Sequence, residues 1–233
     1  MKIRVFTHYQ IIALACLLAL LASAVYAETS VSPGINRGYE NPDWQQWIDR
    51  FERTGREVYD RRHAIVDASC ASPGMTVADI GAGTGLFTRL FARRVGPNGR
   101  VYAVDISRTF VENIVRTSRE AGLTNVIGVV DNDHEVMLPP NSIDIAFVSD
   151  TYHHFEYPRS IMASILAALR DGGKLIVIDF RRDPRVNSDW VMRHVRADRE
   201  VVIAEIEDAG FELIEEKPLL RSNYYLVFRK PVH

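Results

Sequence analysis

Between residues 76 and 180, short apolar runs alternate with segments whose apolar residues recur every three or four positions. The runs Thr76–Ile80, Arg100–Val104, Asn125–Val130, Ile143–Ser149 and Lys174–Asp179 predict strands. Leu86–Val95, Arg108–Ala121 and Arg159–Leu169 carry helical periodicity between them. Strands separated by helices predict a parallel sheet covered on both faces. Its centre is expected at Ile143–Ser149 and Lys174–Asp179, which are almost continuously apolar. The tail breaks the alternation: a helix over Arg199–Ala209 stops at Gly210, and Phe211–Glu216 and Tyr224–Arg229 follow with no helix between them. They predict an antiparallel pair joined through Lys217–Asn223. Ahead of the first strand, Trp44, Trp47, Ile48, Phe51, Val58, Tyr59, Ile65 and Val66 fall near one face of a helix beginning at Pro42, interrupted at Gly55 and ended by Ser72-Pro73-Gly74. Glu28–Asn41, with Ser32-Pro33-Gly34, predicts a flexible lead-in.

The first 27 residues have a different character. Lys2 and Arg4 precede the apolar run Ile11–Ala22, and small residues follow up to Ala27. A basic start, an apolar core and a small-x-small site predict a secretory signal cleaved after Ala27, and hence export to the periplasm without a stable membrane anchor. The alternative is an anchor retained through residues 11–27, a length at the lower limit for crossing a bilayer. The expected organisation is therefore a signal over 1–27, a lead-in over 28–41 and one domain over 42–233 that opens with a lid helix.

Composition narrows the classes. The chain has 233 residues, 47% hydrophobic and 25% charged, which excludes a disordered or fibrous protein. With 28 basic against 30 acidic residues and no basic stripe, no nucleic-acid partner is expected. Of two cysteines, Cys16 lies in the expected signal, so a disulfide framework and an all-cysteine metal site are excluded. Cys70 is expected to be a small buried hydrophobe rather than a nucleophile.

The chemistry concentrates in Val77-Ala78-Asp79-Ile80-Gly81-Ala82-Gly83-Thr84-Gly85, which follows a strand and opens a helix. Glycines there turn the backbone sharply and admit a ligand close to it. The dinucleotide fingerprint requires a third glycine at position 86, where this chain has Leu86, so a nicotinamide oxidoreductase is disfavoured. A ligand with a nucleoside end and no phosphate suits the loop better. Asp105 ends the next strand, 24 residues after Gly81, where a carboxylate can accept both ribose hydroxyls.

Taken with LPPNSIDIAFVSDTYHHF, LRDGGKLIVIDF and EDAGFELIE, the blocks VADIGAGTG and VYAVDIS resemble the class I S-adenosylmethionine-dependent methyltransferases in order and spacing. The resemblance runs over roughly Arg53–Lys230 and is nearest to the small-molecule branch that includes the quinone-pathway C-methyltransferases. It implies a Rossmann-like, doubly wound α/β sheet of seven strands with strand seven antiparallel, and S-adenosyl-L-methionine as cofactor. Carried over by position, Gly81, Ala82, Gly83 and Gly85 form the loop under the methionine portion. Asp79 anchors that loop and faces the methionine amine. Asp105 holds the ribose and Ile106 packs on the adenine. In the cluster Asp131-Asn132-Asp133, where the family commonly has glycine-aspartate, Asn132 and Asp133 are favoured for the adenine amino group. Asp150 faces the transferable methyl.

Methyl transfer from a sulfonium needs alignment and exclusion of water, with a base only when the acceptor must lose a proton. His153 and His154 are the candidates, since histidine titrates near neutrality. The alternative is that one packs beneath the loop and the other caps the helix before Pro158. No His-x-x-x-His spacing supports a metal site. Trp44, Trp47 and Tyr59 offer flat faces to substrate or sulfonium, or form a core stripe, and Arg53 or Arg56 could reach the donor's carboxylate. Arg181-Arg182-Asp183-Pro184-Arg185 reads as a solvated loop or an anion site. The expected acceptor is a small molecule, lipid-soluble if the anchor is retained. The rival to an enzyme is a module that keeps the nucleoside pocket without turnover.

Overall fold

The computed structural model describes residues 28–232, and the expected signal segment lies outside the described residues. Three short helices, α1 (Trp44–Phe51), α2 (Glu57–Asp60) and α3 (Arg62–Ala68), lead into an alternating core. That core is β1 (Thr76–Ile80), α4 (Leu86–Val95), β2 (Arg100–Asp105), α5 (Arg108–Glu120), β3 (Val126–Val130), β4 (Ile143–Ser149), α6 (Pro158–Ala168) and β5 (Leu169–Phe180). The tail is α7 (Asp189–His194), α8 (Arg199–Asp208), β6 (Glu212–Glu216) and β7 (Asn223–Arg229). The strands form one seven-stranded sheet in the order β3-β2-β1-β4-β5-β7-β6. β7 runs antiparallel between β5 and β6, and the first five strands are parallel. This is the mixed α/β sheet expected from the sequence.

The strand pleat builds a core on each face. Ala146 and Val148 of β4, Leu175 and Val177 of β5, and Tyr224, Leu226 and Phe228 of β7 join Ile161 and Ile165 of α6. Ile145 and Phe147, Ile176 and Ile178, and Tyr225 and Val227 join Phe87, Phe91 and Val95 of α4 on the other. Alternate residues of one strand therefore serve opposite cores, which is why these strands are apolar throughout.

The long helix expected at the N-terminus is three helices. Gly55 takes φ +92° and gives its N–H to Asp60, which turns the chain between α1 and α2. The lead-in expected to be flexible is held by side chains. Glu28 accepts the N–H groups of Arg159 and Ser160, capping orphan donors at the start of α6. Glu156 accepts from the Ser30 hydroxyl and the Gly34 N–H. A 3-10 turn over Ile35–Tyr39 then stacks Tyr39 on Trp47, with ring centroids 4.8 Å apart. Cys70, expected to be buried, is exposed in a left-handed turn (φ +59°), and Ala71 takes the inside position. Among the described residues no helix is long and apolar enough to cross a membrane.

Phe147 is fully buried between Phe87 and Phe91, at centroid distances of 4.8 and 4.9 Å. Phe147→Ala should lower the unfolding free energy by about 3–5 kcal/mol, read from the midpoint of urea denaturation.

Candidate donor and acceptor site

One cavity of about 400 Å³ lies over the carboxyl ends of the parallel strands, within the range of small-molecule sites. It spans the switch point between β1 and β4, where strand order reverses and open α/β sheets bind their ligands.

The glycine loop forms its floor. Gly81 has φ +68°, and a Cβ there would fall 2.2 Å from the Thr151 methyl, so only glycine fits. Gly83 (φ +55°) faces the Phe51 ring, which would stand 3.4 Å from an added Cβ. The α1 end is thus seated on the loop, with Ala82 beside it in the lining. Gly85 departs from expectation. It does not line the cavity: it caps α4, and a Cβ there would meet Ile114 of α5 at 2.9 Å.

Three carboxylates face the β1–β3 half. Asp79 accepts the Thr88 hydroxyl at 2.6 Å, and burial pushes its carboxyl up to about 7. Asp105 accepts the N–H groups of Gly83 and Ser107, each at 2.8 Å, one on each oxygen. Burial raises it to about 6. It therefore braces the loop as well as facing the cavity, and each oxygen keeps one lone pair. Asp131 has a buried Oδ1 without a partner, and burial reinforced by Asp105 raises it to about 8. The favoured neighbours also line the cavity, but Asn132 spends its Oδ1 on the N–H groups of His134 and Glu135 in a turn. Asp133 is half-buried, and burial with the nearby Glu156 charge raises its carboxyl. Asp131, not these two, presents the unsatisfied acceptor. Its place directly after the β3 apolar run was the available signal. Ile106 offers a partly exposed apolar surface beside Asp105.

The β4–β5 half holds the expected catalytic residues. Asp150 has φ +50° and both oxygens engaged, one by Arg56 and one by Asn223, each at 2.6 Å. Burial raises its carboxyl although Arg56 opposes the shift. It latches the N-terminal helices and still lines the cavity, where each oxygen keeps one lone pair. His153 is buried, with Nδ1 2.8 Å from Asp179, which also accepts its backbone N–H. Burial opposes its charged form, but the Asp179 carboxylate prevails and raises it. His154 is driven down to about 2 by burial and by the neighbouring His153 and His194. Neither histidine caps α6, a role that Glu28 fills.

The expected aromatic faces are elsewhere. Trp47 packs under Tyr39, Phe51 and Phe110, and neither Trp44 nor Tyr59 lines the cavity, whose aromatic walls include Tyr39, Phe180 and Trp190. Arg50 and Arg53 line it, while Arg56 is committed to Asp150. Tyr39 and Asn36 come from the lead-in, and Trp190 and His194 from α7. The sequence reading missed both segments: α7 is six residues long, and its only local sign is the Ser188 cap. Arg185 pairs with Asp183 in solvent and Arg181 bonds Glu216, so that basic run forms no part of the cavity.

A mixed sheet of this order, with a glycine loop after β1 and an acid ending β2, defines a Rossmann-like nucleoside-binding protein of the class I methyltransferase type. The comparisons agree: the methyltransferase-domain family matches residues 71–222, so the chain belongs to it, and S-adenosylmethionine is the methyl donor of that class. The chain is 36% identical over 128 residues to the ubiquinone/menaquinone biosynthesis C-methyltransferase UbiE of Hydrogenovibrio crunogenus, covering 52% of this chain and 48% of that protein. It thus spans about half the length of the curated relatives it matches. The fold is shared with a SAM-dependent methyltransferase from Aquifex aeolicus, with TM-score 0.72, 22% identity, and coverage of 82% of this chain and all of that one. It is shared too with the [4+2]-cyclase SpnF, with TM-score 0.63, 18% identity, and 90% and 88% coverage.

Asp79 and Asp131, raised to about 7 and 8, and His153, also raised, bind more protons in the folded than in the unfolded state. Each contributes stability at low pH that is lost as pH rises through its folded value. His154 and His194, both lowered, act in the opposite sense, but only below their unfolded value near 6.5. The ligand-free protein should therefore lose thermal stability between about pH 6.5 and 8. Asp131→Asn should flatten the upper part of that slope, measured by melting temperature against pH.

Proposed function

We propose that this chain transfers a methyl group from S-adenosylmethionine to a flat, hydroxylated aromatic acceptor of the quinol class. The observation that carries this reading is the division of one cavity into an acidic half over β1–β3 and an aromatic, histidine-lined half over β4–β5. The acidic half fits the donor. Asp131 has an unpartnered oxygen for an N–H group, Asp105 keeps lone pairs for hydroxyls, and Ile106 supplies an apolar face. The donor carries an ammonium, a sulfonium and a carboxylate, and its net positive charge favours the ionised form of the carboxyls that line this half. Arg50 and Arg53 are the cations within reach of its carboxylate. When bound, the donor supplies an activated methyl group, and the protein has to align the acceptor and exclude water.

The other half supplies the acceptor's environment. Tyr39, Phe180 and Trp190 give aromatic walls suited to a planar ring. His153, held through Nδ1 by Asp179, has Nε2 left to receive a hydroxyl hydrogen from the ring. The UbiE likeness supports an aromatic acceptor of quinone biosynthesis. We also read residues 1–27 as an export signal, tested by N-terminal sequencing of the protein from its native host after fractionation. A chain beginning near Glu28 in the soluble exported fraction supports that reading, and an intact Met1 chain in the membrane pellet overturns it.

Calorimetry with S-adenosylmethionine, its demethylated product and NAD should show binding of the first two only. Asp105→Ala should weaken donor binding by about 1.5–3 kcal/mol, the scale of hydrogen bonds to a charged partner, and the same affinity in a folded variant would remove Asp105 from the site. Incubation with donor and demethylated quinols should yield an acceptor heavier by one methylene. Trp190→Ala should raise KM for the acceptor more than it lowers kcat. Donor binding without turnover on any such ring would favour the module without activity.

A further inference from the structure

We infer that His153, His154 and His194 together bind one divalent transition-metal ion, zinc by the chemistry of the ligands, at the acceptor end of the cavity. The three residues stand on two elements that the sequence does not bring together: a 3-10 turn over Tyr152–His154 after β4, and α7 after β5. One ring nitrogen from each lies within 4.8 Å of the other two. Nε2 of His154 is 3.4 Å from Nε2 of His194. That is long for a hydrogen bond from nitrogen. It is close to the ~3.3 Å edge of a tetrahedron built on metal–nitrogen bonds of ~2.05 Å.

The surroundings support the same assignment. Asp179 holds Nδ1 of His153 at 2.8 Å, which leaves Nε2 of that ring as the ligating atom. A carboxylate behind a ligating histidine is the arrangement that fixes tautomer and ring orientation in metal sites. Trp190 stacks on His194 at 4.4 Å and 21°, and Tyr39 meets the His154 ring edge-on at 5.1 Å. Two of the three rings are thus positioned by aromatic packing, and the third by a carboxylate. Magnesium and calcium prefer oxygen donors, whereas three imidazoles suit zinc and its first-row neighbours. All three histidines line the cavity, so the fourth position opens onto it, as in catalytic rather than structural zinc sites. The role of the ion rests on the proposed function and takes the place of direct proton transfer to His153: with Nε2 of that ring on the metal, the ion would hold a hydroxyl oxygen of the acceptor and lower its pKa, and the proton would pass to water. The binding itself does not depend on that reading.

The test uses the full chain stripped with chelator, titrated with Zn²⁺ by calorimetry and with Co²⁺ by visible absorption. One Zn²⁺ should bind per chain at micromolar concentration or below, and Co²⁺ should show the intense visible bands of four-coordinate geometry and be displaced by Zn²⁺. His154→Ala and His194→Ala should each weaken zinc binding by at least about 100-fold, and Asp179→Asn by about 10–100-fold. His134→Ala, outside the cluster, should leave it unchanged, with circular dichroism reporting the fold of each variant. A wild-type chain that takes up no stoichiometric Zn²⁺, a weak six-coordinate Co²⁺ spectrum, or zinc affinity that survives the His154→Ala/His194→Ala double change would overturn the site and leave only packed histidine rings. Absence of methyl transfer with intact zinc binding would overturn the proposed function instead.

Discussion

Each of the five parallel strands carries an aspartate within one residue of its carboxyl end, so five carboxyl groups are gathered at one end of the sheet. Asp79, Asp105 and Asp179 are buried, and Asp131 and Asp150 are partly buried. Charges taken from water must be paired, hydrogen-bonded or neutralised, and each strand meets that demand differently. Thr88 bonds Asp79, backbone N–H groups hold Asp105, Arg56 and Asn223 hold Asp150, and His153 holds Asp179. Asp131 alone among these has a buried oxygen without a partner in the described residues. The unmet demand at this end is thus the Asp131 oxygen, and it lies in the cavity where the other carboxyls gather.

The same demand organises the covering layer. Arg56 reaches Asp150 only because the chain turns at Gly55, and Glu57 beside it accepts from Arg221, Ser222 and the Ser222 hydroxyl ahead of β7. Glu52 at the end of α1 pairs with Arg89 of α4. The N-terminal helices are thus pinned across the sheet by ion pairs and caps, and Phe51 rests over the glycine loop. This layer lines the cavity through Tyr39, Arg50 and Phe51, and so adds to the exclusion of water that methyl transfer requires.

Fold and chemistry separate cleanly here. The same sheet architecture serves a methyltransferase in one structural relative and a [4+2]-cyclase in another, so the sheet by itself does not select a reaction. What selects it is the content of the two cavity halves. The acidic half is built from residues within or directly after β1–β3. The histidine and aromatic half draws on the lead-in, the turn after β4 and α7, which are the segments least constrained by the sheet.

The local pattern determined the strands, the helices α4–α6 and α8, the antiparallel tail and the glycine loop with Asp105, because period-two and 3.6-residue patterns and glycine at positive φ act within a few residues of chain. It also placed His153, His154, Asp79 and Asp150 near the site. Tertiary structure decided the rest. Gly85 turned out to pack against Ile114 rather than a ligand, and Asp150 became a latch, because partners distant in sequence occupy their space. Asp131 joined Asn132 and Asp133 in the cavity lining, with the free acceptor that a turn takes from Asn132. Glu28, Tyr39, Trp190 and His194 were illegible because nothing local in a short polar lead-in or a six-residue helix records what it will touch. Their roles arise only when caps, stacking and the sheet's carboxyl ends bring them to one cavity.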